Sequence, residues 1–208
     1  MIPFFGDRNR YESDMDYMKD TDGKKKVTIH IGEYFASQEP LVITTFLGSC
    51  VAVCLFDWKK KIGGMNHILI AGEASFKEYN APARYSINAM ELLINAMMNL
   101  GAARKNLAAK VFGGANVIPH IPEEDSVGLR ISEFVLQFLD RERINITAQD
   151  LGGHKSRRVF FHTDTGAVFL HRSNSLKSSH LALLEQKKLI KLSVKTEKPG
   201  KITWFDKK

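Results

Sequence analysis

The sequence predicts a mixed α/β domain with two main helices, and three observations support this fold class. The 208-residue chain is 44% hydrophobic and 25% charged, which is ordinary for a globular protein. Short apolar and β-branched runs recur between turn signals, as strands do. Two longer segments, 83–100 and 130–143, are interpreted as helices, and the first carries an apolar stripe at a spacing of about 3.6 residues. At roughly 150 residues per domain, we expect one domain with extensions.

The first half of the domain is predicted to contain four strands. Residues 27–36 alternate apolar and polar side chains, and residues 41–46 are rich in β-branched side chains. Residues 50–56 are continuously apolar, which indicates a strand buried on both faces. A polar, hairpin-like connection at 57–61 leads into a fourth strand at 62–70.

The second half is predicted to mix helices and strands. Gly101 stands where a glycine commonly ends a helix, directly after the apolar stripe. In chain order we expect a helix at 83–100, a strand at 108–112, a helix at 130–143, a strand at 144–148, a hairpin at 157–172 and an amphipathic helix at 176–190.

Composition and segment lengths exclude several classes of protein. Two cysteines are too few for a disulfide scaffold. The first residues lack the basic head and apolar stretch of a signal peptide. The longest uncharged run, 40–56, is shorter than the roughly 20 apolar residues of a membrane span. We therefore expect a cytoplasmic protein, with reduced thiols and no insertion into a membrane.

The net charge of +7 is concentrated near the C-terminus. Residues 173–208 hold nine lysines against three acidic residues, so the rest of the chain is almost neutral. Nucleic acid is therefore not an expected partner. We predict a flexible charged N-terminal extension at 1–26, a domain at 27–172 and a basic C-terminal extension at 173–208. The lysines form either a solvated face or a tail that meets an acidic partner or anionic lipid.

Cys50 and Cys54 are expected to differ in role. Four positions along a strand span about 13 Å, whereas a disulfide needs Cα atoms within about 7 Å, so the two are not expected to pair. No second Cys/His cluster completes a metal site, and no phosphate-binding glycine motif is present, so neither metal nor cofactor is predicted. Cys54 lies in the middle of a predicted strand and is interpreted as a core residue.

Cys50 is a candidate nucleophile, because it lies where the turn formed by Gly48 and Ser49 enters a strand. Gly48 allows a substrate to approach the backbone closely. The N–H groups around Ser49 and Cys50 could face a developing oxyanion, so Gly48 and Ser49 are candidate substrate-binding residues. The alternative is a buried structural thiol.

His67 is the best-placed candidate base, because its strand follows that of Cys50 through a short connection. A neutral imidazole there would accept the thiol proton, and the resulting imidazolium would favour the thiolate. Thr44 could orient the ring through its hydroxyl or backbone carbonyl. The alternatives are a core histidine and an ordinary strand threonine.

Two paired glycines, 113–114 and 152–153, are interpreted as turns or close-packing points rather than as the rim of a substrate site.

Two motifs at this separation resemble the CheD family of chemotaxis glutamine deamidases: LGSCVAV at 47–53 and GGMNHILI at 63–70. Further matches include RYSINAM at 84–90 and AKVFGGAN at 109–116, and the resemblance covers about residues 27–172. It implies a three-layer α/β sandwich of mixed and antiparallel strands with two main helices.

The resemblance also implies a chemistry. Cys50 would be the nucleophile, His67 its histidine and Thr44 the third catalytic residue. The thiolate would attack a glutamine side chain in the cytoplasmic region of a methyl-accepting chemoreceptor, ammonia would leave, and water would release glutamate. A CheC-type phosphatase is a further partner that the family implies. The alternatives are a non-enzymatic module that binds such a phosphatase or receptor and, ranked last, a different thiol hydrolase.

Overall fold

The computed structural model describes residues 23–69, 81–117, 122 and 126–173. Most of the predicted N-terminal extension and nearly all of the predicted C-terminal extension, with its helix at 176–190, lie outside the described residues. The described elements are β1 Lys25–Thr28, β2 Tyr34–Ser37, β3 Leu41–Leu47, β4 Val51–Asp57, β5 Ile62–Asn66, α1 Ala81–Asn99, β6 Leu107–Gly113, α2 Val127–Arg141, β7 Asn145–Leu151, β8 Ser156–His162 and β9 Val168–Ser173.

The strands form two mixed sheets. The four-stranded sheet has the order β1-β3-β8-β9, in which β1 and β3 are parallel and the other pairs antiparallel. The five-stranded sheet has the order β2-β5-β4-β6-β7, in which β6 and β7 are parallel. One apolar cluster joins both helices to the five-stranded sheet, and a second lies between the two sheets. The predicted three-layer α/β sandwich is therefore confirmed.

Strand β4 is the centre of the molecule. All seven of its residues are buried. Val51, Val53 and Leu55 face the helices, whereas Ala52 and Cys54 face the four-stranded sheet. Because side chains alternate along a strand, only a continuously apolar run satisfies both layers. The prediction of a strand buried on both faces is confirmed.

The single strand predicted at 27–36 is wrong, because this segment is two strands in different sheets. β1 pairs with β3, and β2 pairs with β5. Between them Gly32 adopts a φ of 80°, and the Glu33 carboxylate accepts a hydrogen bond from the His30 N–H at 2.8 Å. These contacts turn the chain from one sheet to the other. Apolar side chains suited to a strand stand on both sides of the turn, so composition alone does not reveal it.

Both predicted main helices are present, with shifted ends. α1 ends close to Gly101, which has a φ of 94° and donates to the Met98 carbonyl at 2.8 Å. α2 begins at Val127, three residues before the predicted start, because the Ser126 hydroxyl accepts the Leu129 N–H at 3.1 Å as an N-cap. Within the described ranges, neither helix is both long and apolar enough to cross a membrane.

The two predicted hairpins are confirmed as β4–β5 and β8–β9. Asp57 fixes the first, since its carboxylate accepts the N–H groups of Lys59, Lys60 and Ala103 at 2.9, 3.0 and 2.8 Å. Burial raises the pKa of Asp57, but these hydrogen bonds outweigh burial and leave the pKa below its ordinary value. The predicted strand at 62–70 ends early, at Asn66.

Candidate active site

The turn that carries Cys50 is the point where the chain passes from one sheet to the other. β3 belongs to the four-stranded sheet and β4 to the five-stranded sheet. The Gly48 carbonyl accepts the Ala115 N–H at 3.0 Å, and the Cys50 carbonyl accepts the Gly114 N–H at 2.7 Å. The segment after β6 thus holds the turn from one side.

Glycines make this close approach of two backbones feasible. Gly113 has a φ of 113°, and a Cβ atom there would lie 2.2 Å from the Cys50 carbonyl oxygen. A Cβ on Gly128 would lie 2.3 Å from the Gly114 carbonyl oxygen. The 113–114 pair is a close-packing point, in agreement with the sequence-based interpretation. Gly152 and Gly153, by contrast, are turn residues in open space.

The structure brings Cys50 and His67 to neighbouring positions on one sheet face. Val51 and Ile68 exchange two backbone hydrogen bonds of 3.0 and 2.7 Å, which continues the antiparallel register of β4 and β5. In this register Ala52 lies opposite His67, and Cys50 is its diagonal neighbour. Such neighbours have Cα atoms roughly 7–8 Å apart, with side chains on the same face. Both side chains therefore face the layer between the two sheets.

The ring of His67 is oriented by Thr45. The Thr45 hydroxyl lies 2.8 Å from His67 Nδ1 and donates its proton to the Ile29 carbonyl, also at 2.8 Å. A hydroxyl has a single proton, so it can only accept from the ring. This contact favours a proton on Nδ1, which in the neutral ring leaves the lone pair on Nε2. This is the tautomer in which Nε2 can accept a proton.

The main chain of His67 is held by the segment that joins β1 to β2. The His67 N–H donates to the Glu33 carbonyl, and the His67 carbonyl accepts the Gly32 N–H, both at 2.9 Å. Ile29 belongs to the same segment, so one crossing loop holds both the backbone of His67 and, through Thr45, its ring.

Thr44, the residue predicted to orient the ring, lies on the other face of β3. Ile43 and Leu47 pack between the sheets, so by alternation Thr45 faces His67 and Thr44 faces away. The Thr44 carbonyl accepts the Ile29 N–H at 3.0 Å. Its buried hydroxyl has no hydrogen-bond partner in the part of the chain that the structure describes. Sequence reasoning therefore missed Thr45, and the catalytic role of Thr44 stays a prediction.

The site is closed to solvent. Cys50 has 0% relative exposure, His67 3% and Thr45 2%. A substrate can reach the sulfur only when groups around it move aside. Neither cysteine forms a disulfide. Cys54 is a core residue, as predicted, and burial raises the pKa of its thiol far above the ordinary value.

The described residues hold no group of three or more His, Cys, Asp or Glu side chains that could bind a metal ion. The chemistry that this site offers is that of a thiol, an imidazole and the backbone donors of a turn.

A cysteine and a histidine are buried between two sheets, with helices on one side, which is the arrangement of a candidate thiol–imidazole active site. Similarity to known proteins identifies the family. Residues 71–172 match the family described as CheD chemotactic sensory transduction. A Shewanella oneidensis protein named probable chemoreceptor glutamine deamidase CheD 1 is 41% identical over 179 residues, which cover 85% of each chain. The chain belongs to the CheD family.

Other relatives carry the same description. A Stenotrophomonas maltophilia protein named probable chemoreceptor glutamine deamidase CheD is 45% identical over 165 residues, covering 77% of this chain and 80% of its own. A Xanthomonas campestris protein of that name is 45% identical over 161 residues, with the same coverage. Among solved structures, a hypothetical protein YfiH of Bacillus licheniformis is 14% identical with a TM-score of 0.38, covering 57% of this chain and 50% of that one.

Proposed function

We propose that this protein is a chemoreceptor glutamine deamidase that uses Cys50 as its nucleophile. Relatives named probable chemoreceptor glutamine deamidases support the reaction. The observation that carries the mechanism is the diagonal placement of Cys50 beside a histidine whose Nδ1 lies 2.8 Å from the Thr45 hydroxyl, a contact that favours a proton on Nδ1. A base so oriented presents its lone pair through Nε2, the nitrogen left to accept the thiol proton.

The proposed reaction has two halves. His67 takes the Cys50 proton, and the thiolate Sγ attacks the side-chain amide carbon of a glutamine. The tetrahedral intermediate collapses as the imidazolium gives its proton to the departing ammonia, which leaves a thioester. A water molecule then attacks the thioester while His67 accepts its proton. The carbon–sulfur bond breaks, glutamate leaves, and Cys50 returns to the thiol.

The turn at Gly48 and Ser49 is proposed to stabilise the oxyanion. The Gly48 and Cys50 carbonyls are held by the segment after β6, which fixes the orientation of the peptide groups between them. Within the described ranges, no acceptor takes the Ser49 N–H. A preorganised donor of this kind contributes roughly 10²–10³ in rate when it faces the developing charge.

The test is deamidation of a receptor cytoplasmic fragment, followed by ammonia release and by the mass gain of about one dalton in receptor peptides. We expect Cys50→Ala to abolish turnover and His67→Ala to lower it by about 10²–10⁴-fold. Cys54→Ala is the matched control, because it removes the other buried thiol and leaves the site in place. Ammonia release by Cys50→Ala at the wild-type rate would exclude the proposed mechanism.

The finer assignments rest on the family resemblance. We propose that the substrate is the cytoplasmic region of methyl-accepting receptors, that the protein acts in the cytoplasm, and that a CheC-type phosphatase is a partner. Residues 27–172 would form the deamidase domain, between the extensions 1–26 and 173–208. Thr44 would contribute through its carbonyl, which holds Ile29 beside Thr45.

One observation favours a second candidate function, a non-enzymatic binding module. Cys50 is completely buried, so the described structure presents no open nucleophile. Retention of a CheC-type partner by Cys50→Ala, together with no deamidation by the wild type, would support this function. Turnover that depends on Cys50 would exclude it as the sole role.

A further inference from the structure

We propose that Thr45, anchored by the Ile29 carbonyl, is the positioning residue that sets the tautomer of His67. The proposal rests on the proposed function, in which His67 accepts the Cys50 proton. Thr45 does not touch the reacting atoms. It acts on the far nitrogen of the ring and thereby decides which nitrogen is left to act as the base.

The direction of both hydrogen bonds follows from counting protons. The Thr45 hydroxyl is 2.8 Å from a carbonyl oxygen and 2.8 Å from His67 Nδ1. A carbonyl oxygen has no proton, so the hydroxyl must donate to Ile29 and accept from the ring. The Ile29 carbonyl is thus the fixed end of a two-bond relay.

Burial makes this relay selective. Ile29, Thr45 and His67 are exposed by 3%, 2% and 3%. Water is therefore poorly placed to replace the hydroxyl, and a buried polar group without a partner is costly. In the opposite tautomer, the Nδ1 lone pair would face the oxygen of a hydroxyl that donates its proton to the Ile29 carbonyl.

The loop that joins β1 to β2 fixes the positions of Ile29 and His67, and thereby the two hydrogen bonds of Thr45. The Ile29 N–H donates to the Thr44 carbonyl at 3.0 Å, and Gly32 and Glu33 bond both main-chain groups of His67. Ile29 therefore cannot move away from Thr45 without breaking a strand contact, and His67 cannot move without breaking two. The relay joins the two sheets, since Thr45 belongs to β3 and His67 follows β5.

The direct test is the tautomer of His67 in the full-length protein, read at pH 8 by two-bond proton–nitrogen NMR of the imidazole rings, with His67→Gln used to assign the signals. We expect the Nδ1–H tautomer in the wild type and in Thr45→Ser, and loss of that preference in Thr45→Val. An Nε2–H tautomer in the wild type would overturn the proposal without recourse to any variant.

Activity gives the second readout. Thr45→Val is expected to lower kcat about 10- to 100-fold with little change in KM, as when the hydrogen-bond partner behind a functional histidine is lost. Thr45→Ser should restore most of it. Thr147→Val is the matched control, because the hydroxyl of this exposed residue also donates to a carbonyl, that of Ala109 at 3.2 Å, and Thr147 lies on a strand three positions from β5 in the sheet.

The two proposals can fail separately. Wild-type kcat and an unchanged tautomer in Thr45→Val would overturn the role of Thr45 while leaving deamidation by Cys50 intact. The expected tautomer shift in a protein that releases no ammonia would support the role of Thr45 and contradict the proposed function.

Discussion

Two buried thiols on one sheet face have different surroundings. Cys54 lies in the middle of β4, opposite Met65 in the hairpin, and packs in the apolar layer between the sheets. Burial raises the pKa of its thiol, so its thiolate is scarce in the folded protein. Cys50 lies at the crossing turn, next to the strand that leads to His67. The position of each cysteine relative to β4 therefore distinguishes Cys54, which packs in the core, from Cys50, the candidate nucleophile.

Cys54 should make the protein less stable in alkali. Its folded pKa is raised, so the unfolded chain loses this proton first, and stability falls as pH rises above the ordinary thiol pKa of about 8.5. At pH 10 the loss should be about 2 kcal/mol, at roughly 1.4 kcal/mol per pH unit. Urea unfolding at pH 7 and pH 10 measures this loss. Between these two pH values, the free energy of unfolding should fall by about 2 kcal/mol less in Cys54→Val than in the wild type. An equal loss in both proteins would contradict the raised pKa.

The candidate site shows what a sequence can and cannot predict at this scale. Cys50 and His67 stand in motifs whose spacing places them on adjacent strands, so their proximity was predictable. Which of Thr44 and Thr45 faces His67 was not predictable. Both faces of β3 are buried, so hydropathy does not reveal which threonine faces His67. Only the pairing of β3 with β8 and the position of Ile29 decide it.

At the scale of elements, the segment after β6 determines the shape of the nucleophile turn. Gly113 lies against the Cys50 carbonyl, and Gly114 donates to that same carbonyl. A side chain at Gly113 would clash with the Cys50 carbonyl, whereas one at Gly114 would clash with Ser132 and Gly128 of α2. Two short loops, far apart in sequence, thus act as one unit.

Gly113→Ala should therefore impair both stability and activity. The added Cβ would lie 2.2 Å from the Cys50 carbonyl oxygen, and overpacking of this kind costs about 1–3 kcal/mol, beyond roughly 1 kcal/mol for the positive φ. Gly101→Ala is the control, since its φ is 94° and nothing lies within 4 Å of the added atom. Urea unfolding and ammonia release should show Gly101→Ala as active and Gly113→Ala as nearly inactive. Equal behaviour would contradict the coupling of the two loops.

Most elements were predictable because each has its own periodicity. The buried run of β4 and the apolar stripe of α1 are examples. The failures lie where a short polar contact overrides the pattern. Glu33 turns the chain within one alternating segment, and Ser126 starts α2 before its apolar pattern does. Sheet partners depend on contacts between distant segments, which local periodicity does not report.

At the scale of the whole molecule, one carboxylate ties the edges of the two sheets. Asp150 on β7 accepts from Arg157 on β8 at 2.7 and 3.1 Å and also pairs with Arg172 on β9. Arg157 donates to the Gly152 carbonyl as well, at 2.8 Å. Its side chain is 4% exposed, so its charge depends on Asp150 for compensation.

Loss of Asp150 should destabilise the whole fold. Asp150→Ala leaves the buried Arg157 guanidinium without its carboxylate, which typically costs about 3–5 kcal/mol. Glu142→Ala is the control, because its partner Arg104 is 44% exposed and such pairs contribute under about 1 kcal/mol. Urea unfolding should show a single transition whose midpoint moves to a much lower urea concentration in Asp150→Ala and hardly moves in Glu142→Ala. Similar midpoints would contradict the tie between the sheets.

The complete burial of Cys50 has a consequence for the lifetime of the protein. Oxidation of a thiol by peroxide follows its exposure as well as its ionisation. The Cys50 sulfur has no exposed surface, so it is shielded from oxidants and electrophiles in solution while the site stays closed. Damage should therefore accumulate during turnover rather than at rest, and an idle pool of molecules should keep its nucleophile intact.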